Sequence, residues 1–295
     1  MKIIVCIKQV PDTSEVKLDP KTNTLIRDGV PSIINPDDKS GIEAALRIKE
    51  QVGGTVTVVC MGPPQADVAI REALAMGCDD GILISGREFG GSDTLATSTI
   101  IAAGIKTLDY DLIITGRQAI DGDTAQVGPQ IAEHLGIPQV SYAEEIMEAS
   151  DDKLVVKRQF EDRYQKIRIK TPCVITALSE LAEPRYMSVG GTIDAYAKEI
   201  KVLGFEELKD KLNPEHIGLK GSPTNVVQSF TKQAKGAGTV LKNLYDGKTY
   251  TVSADRNVSV TIPAAKDGGT IVLTAETKTE PAPDEKQDDK KTDTA

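Results

Sequence analysis

Residues 112–135 read LIITGRQAIDGDTAQVGPQIAEHL, and the fold class can be inferred from them. The stretch opens with a short β-branched run, Leu112–Thr115, which suits a strand that is buried on both faces. A polar turn containing glycine follows, and Thr124–Leu135 then shows the apolar spacing of an amphipathic helix. A buried strand that leads directly into a helix is the repeating unit of a parallel sheet with right-handed crossovers.

The same alternation recurs on both sides of this unit. Four more apolar runs predict strands, at Ile3–Ile7, Val56–Cys60, Ile82–Ile84 and Val174–Leu178. Helical spacing predicts helices at Asp37–Gln51, Gln65–Ala75 and Asp93–Leu108. Two further runs, Leu154–Gln159 and Ile167–Ile169, predict a hairpin at the sheet edge. The sequence therefore predicts an α/β fold with a doubly wound, mostly parallel sheet and an edge hairpin.

The C-terminal part of the chain lacks the regular alternation of strand and helix patterns. Periodicity fades after Ala182, where Ala195–Val202 and Phe205–Leu212 alone predict short helices. Alternation at Thr249–Val252, Val258–Ile262 and Thr270–Thr274 predicts a small β element, and the charged tract after Ala275 predicts disorder. We expect four parts: an α/β domain (1–183), an arm with helices (184–241), a β-like extension (242–275) and a disordered acidic tail (276–295).

Composition excludes several function classes. The formal net charge is -9 and no basic block of five residues occurs, which argues against a nucleic-acid partner. No span is long and apolar enough for membrane insertion and no signal peptide is recognisable, so we expect a cytoplasmic protein. The four cysteines (Cys6, Cys60, Cys78 and Cys173) lack metal-ligand spacing, which predicts buried thiols and no metal site. No Ser-His-Asp set or pair of catalytic carboxylates is recognisable, so no catalytic residue is predicted.

The candidate binding residues lie where strands pass into helices, because ligands of open α/β sheets collect at the carboxyl ends of the strands. Asp121-Gly122-Asp123-Thr124 precedes a helix that we expect to begin near Ala125. Free N–H groups at Ala125, Gln126 and Val127 would then form an anion site, helped by the Thr124 hydroxyl and by Arg117. The alternative is that Asp123 or Thr124 only caps the helix.

A second glycine-containing turn, Gly90-Gly91-Ser92-Asp93-Thr94, resembles the Ser-Gly-Gly-x-Asp-Ser loop of ATP pyrophosphatases. It supports two interpretations: a glycine turn in which Ser92 or Asp93 caps the next helix, or a hydroxyl-rich cofactor wall made by Ser92, Thr94 and Thr97. It also keeps open two more distant functions, an ATP pyrophosphatase-type enzyme and a nucleotide-sensing module.

Four segments in order resemble the beta subunit of electron transfer flavoproteins: residues 5–12, 33–37, 71–77 and 116–129. The resemblance covers roughly Met1 to Leu241. It implies a sheet of the adenine nucleotide alpha hydrolase-like type and a heterodimer with a larger alpha subunit, in which electrons pass through FAD. Residues 184–192 match the arm of the family that wraps this partner.

The resemblance also distinguishes two subtypes. Val10-Pro11-Asp12-Thr13 and residues 122–128 are similar to the electron-bifurcating members, in which the beta subunit holds FAD and NADH reduces it. Electrons then divide between ferredoxin or flavodoxin and the alpha-subunit FAD that serves an acyl-CoA dehydrogenase. In the other subtype the same pocket holds AMP. NADH oxidation is expected only in the heterodimer.

Binding residues are implied by position. Around the adenosine portion the resemblance places Cys6, Lys8, Asn35, Cys60, Met61 and Gly62, and at the phosphates Asp121, Asp123, Thr124, Ala125, Gln126 and Val127. Val10 and Arg117 complete the candidate set together with Ser92, Thr94 and Thr97.

Overall fold

The computed structural model describes residues 1–12 and 31–224, together with three short strands further on. The chain divides into two compact units, Met1–Gln228 and Ser229–Ala295. The elements of the first unit follow one another as β1 (Lys2–Ile7), β2 (Gln9–Pro11), β3 (Ser32–Ile34), α1 (Pro36–Val52), β4 (Thr55–Met61), α2 (Asp67–Met76), β5 (Asp80–Ile84), α3 (Thr94–Ile105), β6 (Leu112–Gly116), α4 (Val127–Leu135), β7 (Gln139–Ser150), β8 (Lys153–Gln159), β9 (Tyr164–Lys170), β10 (Cys173–Ala177), α5 (Val189–Ala197), β11 (Lys201–Leu203) and α6 (Phe205–Leu208).

The described strands of this unit form a nine-stranded sheet in the order β11-β5-β4-β1-β6-β10-β7-β8-β9. Neighbours from β11 to β7 run parallel, and β7, β8 and β9 form an antiparallel edge. The order reverses at β1, whose two neighbours are β4 and β6. Crevices form at such a reversal in open α/β sheets. The predicted doubly wound, mostly parallel sheet with an edge hairpin is confirmed.

Both faces of the sheet are covered, as the unbroken apolar runs predict. In β1, Ile3, Val5 and Ile7 pack in one core cluster with α1 and α2, whereas Ile4 and Cys6 pack in a second cluster with α3 and α4. Successive side chains of a strand point to opposite faces, so one run of five residues contributes to both cores.

Three predictions about elements are corrected. Strand β7 was not predicted, because charged and half-exposed side chains dilute its apolar pattern. The helix expected at Ala195–Val202 begins earlier, at Val189, where the Ser188 hydroxyl accepts a hydrogen bond from the Gly191 N–H. Residues 201–203 are strand β11, which extends the sheet. A Cβ on Gly191 would lie 2.6 Å from the Ala75 carbonyl oxygen, so this glycine permits close packing of α5 on α2.

The second unit contains a three-stranded antiparallel sheet made of β12 (Val240–Asn243), β13 (Thr249–Thr251) and β14 (Leu273–Ala275). Strands β13 and β14 overlap two of the predicted segments, and β12 was not predicted. The third predicted segment, Val258–Ile262, and the tail 276–295 lie outside the described residues. Among the helices that the structure describes, none is long and apolar enough to cross a membrane.

Candidate functional site

A cleft of about 1110 Å³ opens at the carboxyl ends of β1, β4, β5 and β6. Its position is the one expected from the reversal of strand order. Twelve of the residues predicted to bind a cofactor line it: Cys6, Lys8, Met61, Gly62, Ser92, Thr94, Thr97, Arg117, Thr124, Ala125, Gln126 and Val127. The segments that follow β1, β4, β5 and β6 therefore meet at one site.

The segment between β6 and α4, residues 117–126, is called the anion loop below. Helix α4 begins at Val127, two residues later than predicted, because Asp123 and Ala125 adopt left-handed backbone conformations with φ of 49° and 52°. Gln126 is the N-cap residue and makes no side-chain cap, so the interpretation of Asp123 or Thr124 as the cap is wrong. The Asp123 carboxylate instead accepts a hydrogen bond from the Gln118 side chain at 2.8 Å.

The end of the anion loop and the start of α4 contain a row of backbone N–H groups that are available to a ligand. No acceptor for the N–H groups of residues 124–128 lies among the residues that the structure describes. The left-handed residues turn successive N–H groups toward one another, and the helix dipole of α4 adds partial positive charge at the same place. This geometry suits a phosphate or pyrophosphate.

Two cations lie at the anion loop, and each has a carboxylate nearby: Lys8 faces the loop from the end of β1, and Arg117 is the first residue of the loop. The ammonium group of Lys8 lies 2.6 Å from the carboxylate of Asp121, whose side chain is 9% exposed. Arg117 Nε lies 3.5 Å from Asp37 Oδ2, and neither atom has a hydrogen-bond partner in the described part of the chain. Burial raises the pKa of Asp37, although the nearby Arg117 opposes this shift.

The first turn of α1 forms the floor of the cleft. Asn35 is fully buried, and its side chain contacts the anion loop. Asp38, which the sequence did not single out, lines the cleft and is also buried. Burial raises the pKa of Asp38 to about 7, and its hydrogen bonds with backbone N–H groups oppose this shift.

The opposite wall comes from the turn after β5. Asp93 caps α3 by accepting a hydrogen bond from the Ala96 N–H, which confirms the capping interpretation. Ser92, Thr94 and Thr97 nevertheless line the cleft, and Thr94 donates to the Gln126 side chain at 2.7 Å. The wall therefore closes directly onto the anion loop.

Gly91 is required by its neighbours. Its φ is 74°, and an added Cβ would lie 3.3 Å from the Leu219 side chain. Residues 218–222 pack under the turn, where the Leu219 N–H donates to the Gly90 carbonyl and the Ser222 hydroxyl accepts from the Asp93 N–H. The glycines thus serve packing as well as space in the cleft.

Five predicted residues are not among those that line the cleft: Val10, Asn35, Cys60, Asp121 and Asp123. Other residues line the cleft but were not predicted, among them Asp38, Ser85, Arg87, Phe89, Gln118 and Val202. Arg87 had a usable signal, since a cation within three residues of a strand end reaches the same sheet edge. Val202 had none, because its position depends on the unexpected strand β11.

All four cysteines are unpaired and buried, as predicted. Burial raises the pKa of Cys60, Cys78 and Cys173 to about 12, and it raises that of Cys6 further. A thiol with such a pKa is protonated near neutral pH and is a poor nucleophile. Cys6 therefore offers the cleft a small, weakly polar surface.

Comparison of the sequence with known proteins identifies relatives that cover most of this chain. The model of the electron transfer flavoprotein domain matches residues 22–207. The electron transfer flavoprotein subunit beta of Clostridium acetobutylicum is 56% identical, over 86% of this chain and 97% of its own length. The caffeyl-CoA reductase-Etf complex subunit CarD of Acetobacterium woodii is 55% identical, and the acryloyl-CoA reductase electron transfer subunit gamma of Anaerotignum propionicum is 54% identical. Each of these two matches covers 82% of this chain and 92% of the relative.

Proposed function

The chain belongs to the electron transfer flavoprotein family as a beta subunit, and on this premise we propose that its cleft holds FAD and accepts electrons from NADH. The electrons divide between a low-potential acceptor, ferredoxin or flavodoxin, and the FAD of an alpha subunit that serves an acyl-CoA dehydrogenase. Two of the similar relatives are named as parts of CoA-ester reductase systems, which supports the last partner.

The observation that carries the proposal is the extent of the cleft. It runs from the anion loop to the turn after β5 and has a volume of about 1110 Å³. Pockets for small ligands usually measure about 300–1,000 Å³. AMP would occupy the nucleotide end and leave the wall made by Ser92, Thr94 and Thr97 without a ligand. FAD has a second half that suits this wall.

The residues of the cleft fit the phosphates of such a ligand. The free N–H groups of residues 124–128 would hold the pyrophosphate, while Lys8 and Arg117 would offset its charge. Cys6, Met61 and Gly62 would surround the adenosine portion. When bound, FAD would supply the chemistry of NADH oxidation and of the single-electron transfers, while the cleft residues would bind and orient it.

The arm supports a heterodimer. Tyr186 is 99% exposed and Val189 81% exposed, and Ile193 and Tyr196 on α5 are also largely exposed. The base of the arm is fixed, because Arg185 binds the buried carboxylate of Glu43 at 2.7 Å. A fixed segment that presents apolar side chains to solvent is typical of a protein interface. We propose that the alpha subunit covers it.

Cofactor content tests the proposal. The chain is co-expressed with its alpha subunit, and the nucleotides released from the denatured complex are separated and counted. Two FAD per heterodimer are expected, together with NADH-dependent reduction of ferredoxin that requires an acyl-CoA dehydrogenase and its enoyl-CoA substrate. One FAD and one AMP per heterodimer would refute bifurcation and leave a carrier of single electrons.

A further inference from the structure

The first turn of α1 reaches both sides of the cleft floor through two buried side chains, Asn35 and Asp38, which we call the brace. Asn35 donates from Nδ2 to the Gln118 carbonyl at 2.9 Å and accepts from the Ile120 N–H at 3.1 Å. Both polar atoms of the amide are thus bound to the anion loop. Asn35 is also fully buried and is not among the residues that line the cleft, so the side chain is placed to hold the loop and not to face a ligand.

Asp38 joins two strand ends in a similar way. Its Oδ2 accepts from the Lys8 N–H at the end of β1, at 2.7 Å. Its Oδ1 accepts from the Gly116 N–H at the end of β6, at 2.9 Å. The fit leaves no space, since a Cβ on Gly116 would lie 2.1 Å from Asp38 Oδ1. Asp38 therefore fixes the backbone at the two points from which the Lys8 side chain and the anion loop begin.

We propose that Asn35 and Asp38 are positioning residues, which set ligand affinity by holding the anion loop and Lys8 in their binding arrangement. This inference rests on the proposed binding of FAD or AMP in the cleft. It differs from the expectation that Asn35 contacts adenosine, because the brace acts through the backbone that it holds.

The contacts favour this role over that of ordinary satisfied core residues. All four hydrogen bonds of the brace go to backbone on the cleft side of the sheet: residues 8, 116, 118 and 120. The charge pair between Lys8 and Asp121 joins the same two segments from the solvent side. Within the anion loop, the N–H groups of residues 122 and 123 donate to the Ala119 carbonyl, so the Asn35 bonds to residues 118 and 120 hold the two residues that flank this turn.

The test uses isosteric replacements in the heterodimer. Asp38→Asn keeps the shape but places an amide NH₂ against one of the two backbone N–H groups. Asn35→Asp keeps the bond from Ile120 and places a carboxylate oxygen against the Gln118 carbonyl. The complex is stripped of ligand and titrated with FAD and with AMP by calorimetry. We expect each variant to raise the Kd of the ligand that the wild type binds by about 10-fold or more, and to shift its bound ³¹P resonances.

Asp111→Asn is the matched control. Asp111 accepts a hydrogen bond from the Lys2 N–H at 2.6 Å, so it holds the opposite end of the same strand, β1, far from the cleft edge. This variant should lower the melting temperature but keep the wild-type Kd and ³¹P spectrum. If Asp38→Asn does not fold, Asn35→Ser, which retains one hydrogen-bond acceptor, is used as the second variant of the brace.

The outcomes separate the inference from its premise. Wild-type affinity and unchanged ³¹P shifts in Asn35→Asp and Asp38→Asn would overturn the brace while leaving the proposed function intact. Equal losses in the brace variants and in Asp111→Asn would also overturn it, since they would reflect stability alone. A wild-type complex that binds neither FAD nor AMP would overturn the proposed function, and the brace inference with it.

Discussion

Replacing Gly128 by alanine tests whether the start of α4 must lie directly on the sheet. An added Cβ would lie 2.5 Å from Thr115 Oγ1 and 2.7 Å from Thr176 Cγ2. Both threonines are buried and hydrogen-bonded: Thr115 Oγ1 donates to the Gly116 carbonyl, and Thr176 Oγ1 accepts from the Tyr142 N–H. Neither side chain can move away at low cost, so the helix start must shift outward by about 1 Å to restore ordinary van der Waals contact.

Two quantities follow from this shift. Overpacking costs roughly 1–3 kcal/mol, and the higher helix propensity of alanine returns up to about 1 kcal/mol, so the free energy of unfolding should fall by about 0–3 kcal/mol. The N–H groups at the start of α4 move with the helix. Losing one charge-assisted hydrogen bond of about 2 kcal/mol raises the Kd of the phosphate-bearing ligand by about 30-fold.

Two other glycines provide controls for the calorimetric and urea-unfolding assays. A Cβ on Gly122, in the anion loop, would meet no atom within 4 Å, so Gly122→Ala should leave the free energy of unfolding unchanged. Gly136 ends the same helix with a φ of 65° and open space around it, so Gly136→Ala should cost about 1 kcal/mol of stability and leave the Kd unchanged. A wild-type Kd in Gly128→Ala would refute the argument that this glycine positions the anion site.

Three more predictions concern charged side chains. Because burial raises the pKa of Asp38 to about 7, its contribution to stability is complete below its unfolded pKa of about 3.9 and is lost as the pH rises through 7. We therefore expect the free energy of unfolding of the wild type, measured in urea relative to that of Asp38→Asn, to fall by up to about 4 kcal/mol from pH 4 to pH 8. A difference that stays constant over this range would contradict the prediction. Arg185→Ala leaves the buried Glu43 with Arg47 as its remaining cation, so it should lower the free energy of unfolding by about 2–3 kcal/mol and speed proteolysis of the arm. The control Glu50→Gln removes only the exposed partner of Arg185 and should lower it by less than about 0.5 kcal/mol. Lys8→Met should change the free energy of unfolding by less than about 1 kcal/mol but weaken FAD or AMP binding about 10-fold in calorimetry. The double variant Lys8→Met, Asp121→Asn should regain part of this affinity, because it also removes the carboxylate. Equal affinities in these two variants would show that the Asp121 charge does not reach the ligand.

The sequence predicted the parts of the fold that depend on local pattern. The central strands are continuous β-branched runs because both faces of the sheet are covered, and that burial leaves a direct trace in the sequence. Strand β7 lacks a continuous apolar run because it extends beyond the buried part of the sheet, and its later residues are largely exposed or half-exposed. Helix α5 was displaced in the prediction because its first turn contains two glycines, and the need for one of them, Gly191, depends on the neighbouring helix α2.

The site was predictable to a similar depth. The turns at residues 90–94 and 121–124 were recognisable because each follows a buried strand, and parallel strands bring their carboxyl ends to one edge. The left-handed conformations of Asp123 and Ala125 were not, because neither residue is a glycine and no local signal marks them. The brace was not predictable either, since its contacts join residues 30 to 85 positions apart in the chain.

The proposed phosphate site lies in an acidic chain with a net charge of -9, and charges of both signs are paired within the cleft itself. Lys8 is paired with Asp121, and Arg117 lies beside Asp37, so the two cations add little net charge. The attraction must then come mainly from free backbone N–H groups, whose dipoles act only at short range and only when their orientation is fixed. A site of this kind depends on the rigidity of its loop more than on its net charge, and that dependence makes the buried side chains of α1 as important as the residues that face the ligand.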